Sequence, residues 1–426
     1  MVDLRVSKIK SLKGEIEIPS DKSISHRSVM FSALAKGKSV INNFSDGADC
    51  HSTMKLFKQL GVEINKIGEK SYEVISEGKL KKAVCDLDCG NSGTTMRLCS
   101  GILAGQTFNS VLFGDESLSK RPMKRVISPL EQMGAKIESN DGKAPLKIFG
   151  EKLSGITYNS PIASAQVKSC ILLAGLFADG ITTVVEPYKS RNHTELLLCY
   201  MNGNLSVNGN SVSIKKSDLE PRVIDVAGDI SSAAYFIVAG LIISNSEIII
   251  KNVGLNPTRT GIIDVVKKMG GCIEILSQNT VSGEVVGDIR VKTSELKGCK
   301  ISGEDIPRLI DELPVIALLA TQAEGETIVS DAQDLRKKES DRISTITKGL
   351  QSLGADIEEK TDGFVIRGKT KLSGGVELDV FHDHRLAMTY YVAGLICEKE
   401  ILIKDFQWVN ISFPEFEECF DKIIVE

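Results

Sequence analysis

Apolar and polar positions along the chain fall into a pattern that repeats. A helix-like stretch rich in apolar and small residues is followed by glycine or a polar turn and then by a β-rich run. The pattern occurs at 28–35 leading to Ser39-Val40-Ile41, at 95–104 leading to Ser110-Val111-Leu112-Phe113, and at 167–178 leading to Thr182-Thr183-Val184-Val185. It recurs at 232–243 before Glu247-Ile248-Ile249-Ile250, at 313–320 before Glu326-Thr327-Ile328-Val329, and at 385–396 before Glu400-Ile401-Leu402-Ile403. Successive copies begin about 65 to 80 residues apart, so this is an internal repeat.

A second helical stretch, closing on glycine and running into a short strand, is interleaved with the first, as in Leu56-Phe57-Lys58-Gln59-Leu60-Gly61-Val62-Glu63-Ile64 and Leu130-Glu131-Gln132-Met133-Gly134-Ala135-Lys136-Ile137. The glycine stands where a helix C-terminus takes a left-handed residue. Each repeat therefore predicts roughly βαβαββ. The first helix of each is apolar nearly all round and is expected to be buried, whereas the second carries Lys, Glu and Gln and is expected at the rim. The fold class expected is α/β, with two similar lobes of three repeats each, helices packed inside and short sheets outside.

At 426 residues the chain exceeds the roughly 250 to 300 at which single cores stop growing, which also favours two domains. The 42% hydrophobic and 25% charged fractions are those of a globular protein. The longest uncharged apolar run, near 233–243, is well short of a membrane span. The beginning Met1-Val2-Asp3-Leu4-Arg5 has no secretory pattern, and a cytoplasmic location is expected. Ten scattered cysteines without CxxC spacing are expected to be reduced thiols, mostly buried, and no metal site is expected. A formal charge of -4 argues against nucleic acid as a partner but leaves room for a local basic pocket that takes a small anion.

Basic and polar clusters stand at helix entrances. Asp21-Lys22-Ser23-Ile24-Ser25-His26-Arg27 places cations where helix amides already favour an anion, with Ser20 or Ser23 as the expected cap. Gly90-Asn91-Ser92-Gly93-Thr94 occupies the same place in the second repeat and forms an anion nest if its amides converge. Arg121 precedes Pro122 on an expected extended residue. Ser164-Ala165-Gln166 opens a buried helix with groups suited to a polyol, and Arg191 lies downstream. Asp311-Glu312 meets an apolar helix start, where desolvation favours a general base. In Lys338-Glu339-Ser340-Asp341-Arg342, Lys338 and Arg342 on one helix would be like charges at i,i+4, which calls for an anion between them. His382 and His384 at i,i+2 lie poorly together on a helix, and the planar guanidinium of Arg385 grips a carboxylate or phosphate through two bonds, so Asp383-His384-Arg385 is read as an anion clamp rather than a metal site. For any one cluster taken alone, a solvated charged turn is the alternative.

Taken in this order, these segments resemble the enolpyruvyl transferases, and among them those that act on shikimate 3-phosphate, over nearly the whole chain. The resemblance implies two lobes of an inside-out barrel kind, joined by two crossovers, with residues 1–18 plus 226–426 in one lobe, 19–225 in the other, and the active site in a cleft. It implies transfer of the enolpyruvyl group of phosphoenolpyruvate to the 5-hydroxyl of shikimate 3-phosphate with release of phosphate, on the way to chorismate, without a cofactor. By the same resemblance Lys22, Ser23, Arg27, Ser164, Gln166, Arg191, Asp311 and Lys338 hold shikimate 3-phosphate, and Lys22, Asn91, Gly93, Arg121, Gln166, Arg342 and Arg385 hold phosphoenolpyruvate. Lys22, Asp311 and Glu339 are its proton carriers. Glyphosate is an implied inhibitor, because Gly93 stands where a bulkier residue excludes it in tolerant relatives, and a monomer is expected. The transferases that act on UDP-N-acetylglucosamine share this pattern but have an early Lys-Asn pair and a loop cysteine; this chain has Lys22-Ser23 and no cysteine between Cys99 and Cys170. Two departures stand out. Ile411 precedes Ser412-Phe413-Pro414 where many relatives have lysine, and Asp334 stands where they have asparagine.

Overall fold

A computed structural model describes residues 2–425. The chain divides into two compact units. The first comprises Met1–Pro19, Gly228–Asn279 and Val285–Glu426, and the second Ser20–Ala227 with Thr280–Glu284.

In the second unit the helices Lys22–Leu34, Gly93–Ala104 and Ala165–Gly175 are buried along nearly their whole lengths. In the first the same holds for Ile230–Ile242, Leu313–Thr321 and His384–Gly394. Their all-round apolar character is thus matched by all-round packing. At Gly101 a methyl group would lie 2.1 Å from the Cys170 carbonyl oxygen, so only glycine lets the Gly93–Ala104 and Ala165–Gly175 helices come this close. The second kind of helix is amphipathic, as expected. Gly261–Lys268 buries Ile262, Ile263, Val265 and Val266 and leaves Lys267 and Lys268 outside. The glycines that close such helices, Gly61, Gly134, Gly270 and Gly354, all have positive φ.

Among the described residues six separate sheets flank these helices, and most repeat one plan: a parallel pair extended by an antiparallel hairpin. Lys143–Phe149, for example, pairs antiparallel with both Ser110–Phe113 and Lys136–Asn140, while Ser110–Phe113 runs parallel to Leu87–Asp88. The strands at the two crossovers are exchanged. Ser11–Glu17, which precedes the helix Lys22–Leu34, pairs in parallel with Glu247–Gly254 of the first unit, with Lys13 opposite Glu247. Val223–Asp225, which precedes the helix Ile230–Ile242, pairs in parallel with Lys36–Asn42 of the second unit, with Val223 opposite Val40.

The sixth repeat departs from the expected βαβαββ. After Ile401–Lys404 the chain forms a 3-10 turn, Phe406–Ile411, and a short helix, Phe416–Asp421, in place of a helix and hairpin. Its three-stranded sheet is completed by the N-terminal strand Leu4–Val6, antiparallel to Ile401–Lys404. Phe413, Phe416 and Phe420 fill the place of the missing hairpin by packing on Phe236. Six of the ten cysteines are buried and none is in a disulfide, and no helix among the described residues is long and apolar enough to cross a membrane.

Candidate active site

The residues singled out from the sequence form two groups, one in each unit. In the second unit the Lys22–Leu34 helix is capped by Asp21, whose Oδ1 accepts a 2.8 Å bond from the Ile24 amide. The expected serine cap is therefore wrong. Ser20 lies one residue too early, and Ser23 is already within the first turn. Capping by an acid also sets a negative charge next to Lys22, whose Nζ reaches Asp49 Oδ2 at 3.1 Å from the first turn of the next helix.

Arg27, one turn further on, is buried at 3% exposure. Its Nε donates to Thr194 Oγ1 at 2.8 Å, Nη1 to the Ser23 carbonyl at 2.9 Å and Nη2 to Ser169 Oγ at 3.0 Å. These partners are neutral. Burial accordingly pushes its pKa down to about 10, and neighbouring Arg191 adds to the fall while Glu195 and Asp21 oppose it.

Ser92 caps the next buried helix and makes Gly93 its first residue. A methyl on Gly93 would lie 3.0 Å from Arg97 Nη1 and 3.5 Å from Arg121 Nη1. Two guanidinium groups thus converge on a bare backbone position at a helix N-terminus, an arrangement that favours an anion. Both are held in place: Arg121 Nη2 donates to Asn91 Oδ1 at 2.7 Å, and Arg97 Nη1 to Gln166 Oε1 at 2.5 Å. Gln166 Nε2 in turn donates to Thr94 Oγ1 at 3.1 Å, and Asn91 Nδ2 to Asp115 Oδ2 at 2.6 Å. Arg121 is extended at the end of a short helix, as Pro122 requires. Ser164 is the cap of the third buried helix.

In the first unit, Asp311 lies between the short helix Asp305–Leu309 and the buried helix Leu313–Thr321. Its Oδ1 accepts from Lys338 Nζ at 3.0 Å and lies 3.5 Å from Arg342 Nη1. Lys338 and Arg342 are not on one helix as expected. Lys338 is an extended residue after the 3-10 turn Gln333–Lys337, and Arg342 begins the following helix. The anion expected between the two cations is a side chain of the protein, Asp311.

Arg342, 1% exposed, donates from Nε and Nη2 to Asp383 at 2.7 and 3.1 Å and from Nη2 to Glu339 at 2.6 Å. Burial would lower its pKa, but the charges of Asp383 and Glu339 and the bond to Asp383 outweigh this and hold it above the usual range. Asp383 itself is fully buried. Desolvation raises its pKa, yet Arg342 more than compensates and keeps it below the ordinary carboxylate range. Asp383 also caps the His384–Gly394 helix through the Arg385 amide, 3.0 Å from its Oδ1. Arg385 is raised too: burial opposes its charge, and Asp311, Tyr235, Glu312 and Asp229 overcome it.

Glu312, the second acid of the expected pair, is 1% exposed and accepts a hydrogen bond from Ser231 Oγ, so the two carboxylates have separate surroundings. His382 packs against Trp408 with ring centroids 4.6 Å apart and planes tilted by 35°, while His384 is buried in its helix. Among the described residues no group of three potential ligands could hold a metal. Asp334 and Ile411 both lie in 3-10 turns.

Sequence reasoning missed Asp49, Arg97 and Asp383 as partners of the chosen residues. Asp383 was within a quoted motif, at the cap of its helix, and Arg97 lies one turn inside the helix that Gly93 begins; these positions were the available signal. Asp49 carried none.

A family profile described as EPSP synthase (3-phosphoshikimate 1-carboxyvinyltransferase) matches residues 6–420. A 3-phosphoshikimate 1-carboxyvinyltransferase of Thermoanaerobacter sp. (strain X514) is 52% identical over 99% of this chain and 100% of its own. That of Bacillus subtilis (strain 168) is 50% identical over 99% of both. Among solved structures, an EPSP synthase from Acinetobacter baumannii superposes with a TM-score of 0.89 at 40% identity, covering 99% of this chain and 98% of that one. The enolpyruvyl transferase NikO from Streptomyces tendae shares the fold, with a TM-score of 0.78 at 16% identity over 99% and 96% of the two chains.

Proposed function

This chain belongs to the EPSP synthase (3-phosphoshikimate 1-carboxyvinyltransferase) family, and from that membership we propose that it moves the enolpyruvyl group of phosphoenolpyruvate onto the 5-hydroxyl of shikimate 3-phosphate, releasing phosphate. The observation that carries the residue assignment is Gly93, a backbone position without a side chain on which Arg97 and Arg121 converge at a helix N-terminus. Phosphoenolpyruvate, with a carboxylate and a phosphate, matches such a site. Asn91 and Gln166 hold the two guanidinium groups in place. By the same family membership, Lys22, Ser23, Arg27, Ser164, Gln166, Arg191, Asp311 and Lys338 take shikimate 3-phosphate. Arg342 and Arg385 complete the phosphoenolpyruvate contacts.

The reaction is addition followed by elimination. The 5-hydroxyl gives its proton to Asp311 or Lys22 as its oxygen attacks C2 of phosphoenolpyruvate, and Glu339 or Lys22 delivers a proton to C3. The tetrahedral adduct then loses a C3 proton and phosphate, which restores the enol ether. Fixed cations stabilise the charge that develops. Arg342 Nη2 donates to Glu339 Oε2 at 2.6 Å and fixes where this carboxyl group stands.

Phosphate release on mixing the protein with phosphoenolpyruvate and shikimate 3-phosphate tests the reading. Release with UDP-N-acetylglucosamine in place of shikimate 3-phosphate would overturn it. Asp311→Asn should lower kcat by about 100-fold or more while the protein stays folded. Glyphosate should inhibit in competition with phosphoenolpyruvate, and Gly93→Ala, which crowds Arg97 and Arg121, should weaken both. We also place the enzyme in the cytoplasm as a monomer, which sedimentation of the purified chain checks for the oligomeric state.

A further inference from the structure

Beside residues assigned to shikimate 3-phosphate in the second unit lies a buried charged cluster that none of the sequence expectations included. Lys168 Nζ is 2.8 Å from Glu186 Oε2 and 2.7 Å from Glu195 Oε1, and it donates to the Ser190 carbonyl at 3.3 Å. The three side chains are 3%, 2% and 5% exposed. Every proton of the ammonium is therefore directed at the protein. Burying such a group is costly, and an apolar core of the same volume is commonly as stable or more so. Stability alone does not account for it.

What the cluster joins is specific. Lys168 is in the first turns of the helix capped by Ser164 and carrying Gln166. Glu186 directly follows the strand Ile181–Val185, and Glu195 is in the first turn of the helix His193–Tyr200. The ammonium thus ties together both ends and the middle of the loop that carries Arg191, and Glu186 Oε2 also accepts the Ser190 amide at 3.3 Å. The adjacent residues, Ser169 after Lys168 and Thr194 before Glu195, are the two whose hydroxyls hold Arg27. Two carboxylates face one ammonium, and Glu186 Oε1 and Glu195 Oε2 accept no hydrogen bond among the described residues. The surplus negative charge acts on Arg27: Glu195 is the strongest of the groups that oppose the effect of burial on it.

We propose that Lys168, Glu186 and Glu195 are positioning residues for shikimate 3-phosphate, which hold the 186–195 loop and the starts of its two neighbouring helices so that Arg191 and Arg27 meet the substrate. This rests on the function proposed above.

The test compares Glu195→Gln, Lys168→Met and the double variant, reading calorimetric affinity for shikimate 3-phosphate and the KM of each substrate. Glu195→Gln should weaken shikimate 3-phosphate roughly tenfold or more, the scale of lost outer-shell partners at other sites, while the KM for phosphoenolpyruvate moves by less than about twofold. Lys168→Met leaves two buried carboxylates without a cation and is prone to unfold; the double variant removes one charge of each sign and keeps the test available. Adding Arg191→Ala to Glu195→Gln should cost less than the product of the two single effects, because both act on one contact. Equal loss for both substrates, or full additivity with Arg191→Ala, overturns the inference. A wild-type chain that turns over the pair, with the Glu195→Gln variant unchanged, overturns it alone. A wild-type chain that neither binds nor uses shikimate 3-phosphate overturns the function as well.

Discussion

Arg27 in the second unit and Arg342 in the first are both buried guanidinium groups near a helix start, yet their surroundings drive them in opposite directions. Arg27 is bonded to two hydroxyls and a carbonyl, and burial pushes its pKa down to about 10. Arg342 is bonded to Asp383 and Glu339 with Asp311 beside it; burial again opposes the charge, but the carboxylates overcome it and raise the pKa. Neutral partners orient a cation without cancelling its charge, so Arg27 remains available to attract an anion. Carboxylate partners neutralise it, so Arg342 serves first to hold Asp311, Glu339 and Asp383 in place. Arg27 is thus oriented by neutral groups and Arg342 by carboxylates.

Substituting each arginine by methionine, which keeps most of the apolar stem, separates the two roles. Arg342→Met leaves Asp383 and Glu339 without their cation and should cost about 3–5 kcal/mol in denaturant unfolding. A loss near zero would break the contrast.

The acid side distinguishes the units next. His26, fully buried against Thr53, has its pKa lowered to about 3 by burial first and by Lys22 and Arg27 as well, with Asp49 opposing. The unfolded chain therefore binds a proton below 6.5 that the folded chain refuses until about 3. Stability from this group is complete above pH 6.5 and falls as pH drops, by up to about 1.4 kcal/mol per pH unit. Asp383, whose folded pKa is lowered, loses its contribution as pH falls through the carboxylate range, because protonation removes the partner of Arg342. His26→Asn should flatten the upper part of this profile and leave the lower part, as followed by urea midpoints against pH.

The smallest expected change in stability is at Arg27. Ser169 and Thr194 also bond each other at 2.7 Å, so Arg27→Met strands neither hydroxyl and should alter stability by less than about 1 kcal/mol. Affinity for shikimate 3-phosphate should nevertheless be lost. Retained affinity would show that the second unit does not bind through Arg27.

Much of the fold was legible because period and burial coincide. A helix apolar on every face, such as 230–242, has no solvated solution, so its place at the centre follows from composition. The glycine that ends each amphipathic helix marks its stop through φ alone. The sixth repeat was misread because Ile401–Lys404 carries the usual strand signal, while the partner that completes its sheet comes from Leu4–Val6, far away in sequence. At the candidate site, the clusters at helix entrances were visible as local charge. Their pairings were not: Lys338 and Arg342 reach Asp311 only because the chain breaks between them, and Asp49 carries no local sign that it faces Lys22.

What the amino-acid sequence determined by itself is the set of repeats, the inner and outer helices, and the positions at which charge enters a buried helix, since each depends on residues within a few turns of one another. Tertiary structure determined which charges are neutralised and which remain available. Arg27 and Arg342 look alike in sequence, and their difference arises from partners 142 and 167 residues away in one case and 41 in the other. The energy of a buried cation depends on what is brought to within about 3 Å of it, and folding, not local sequence, sets that distance.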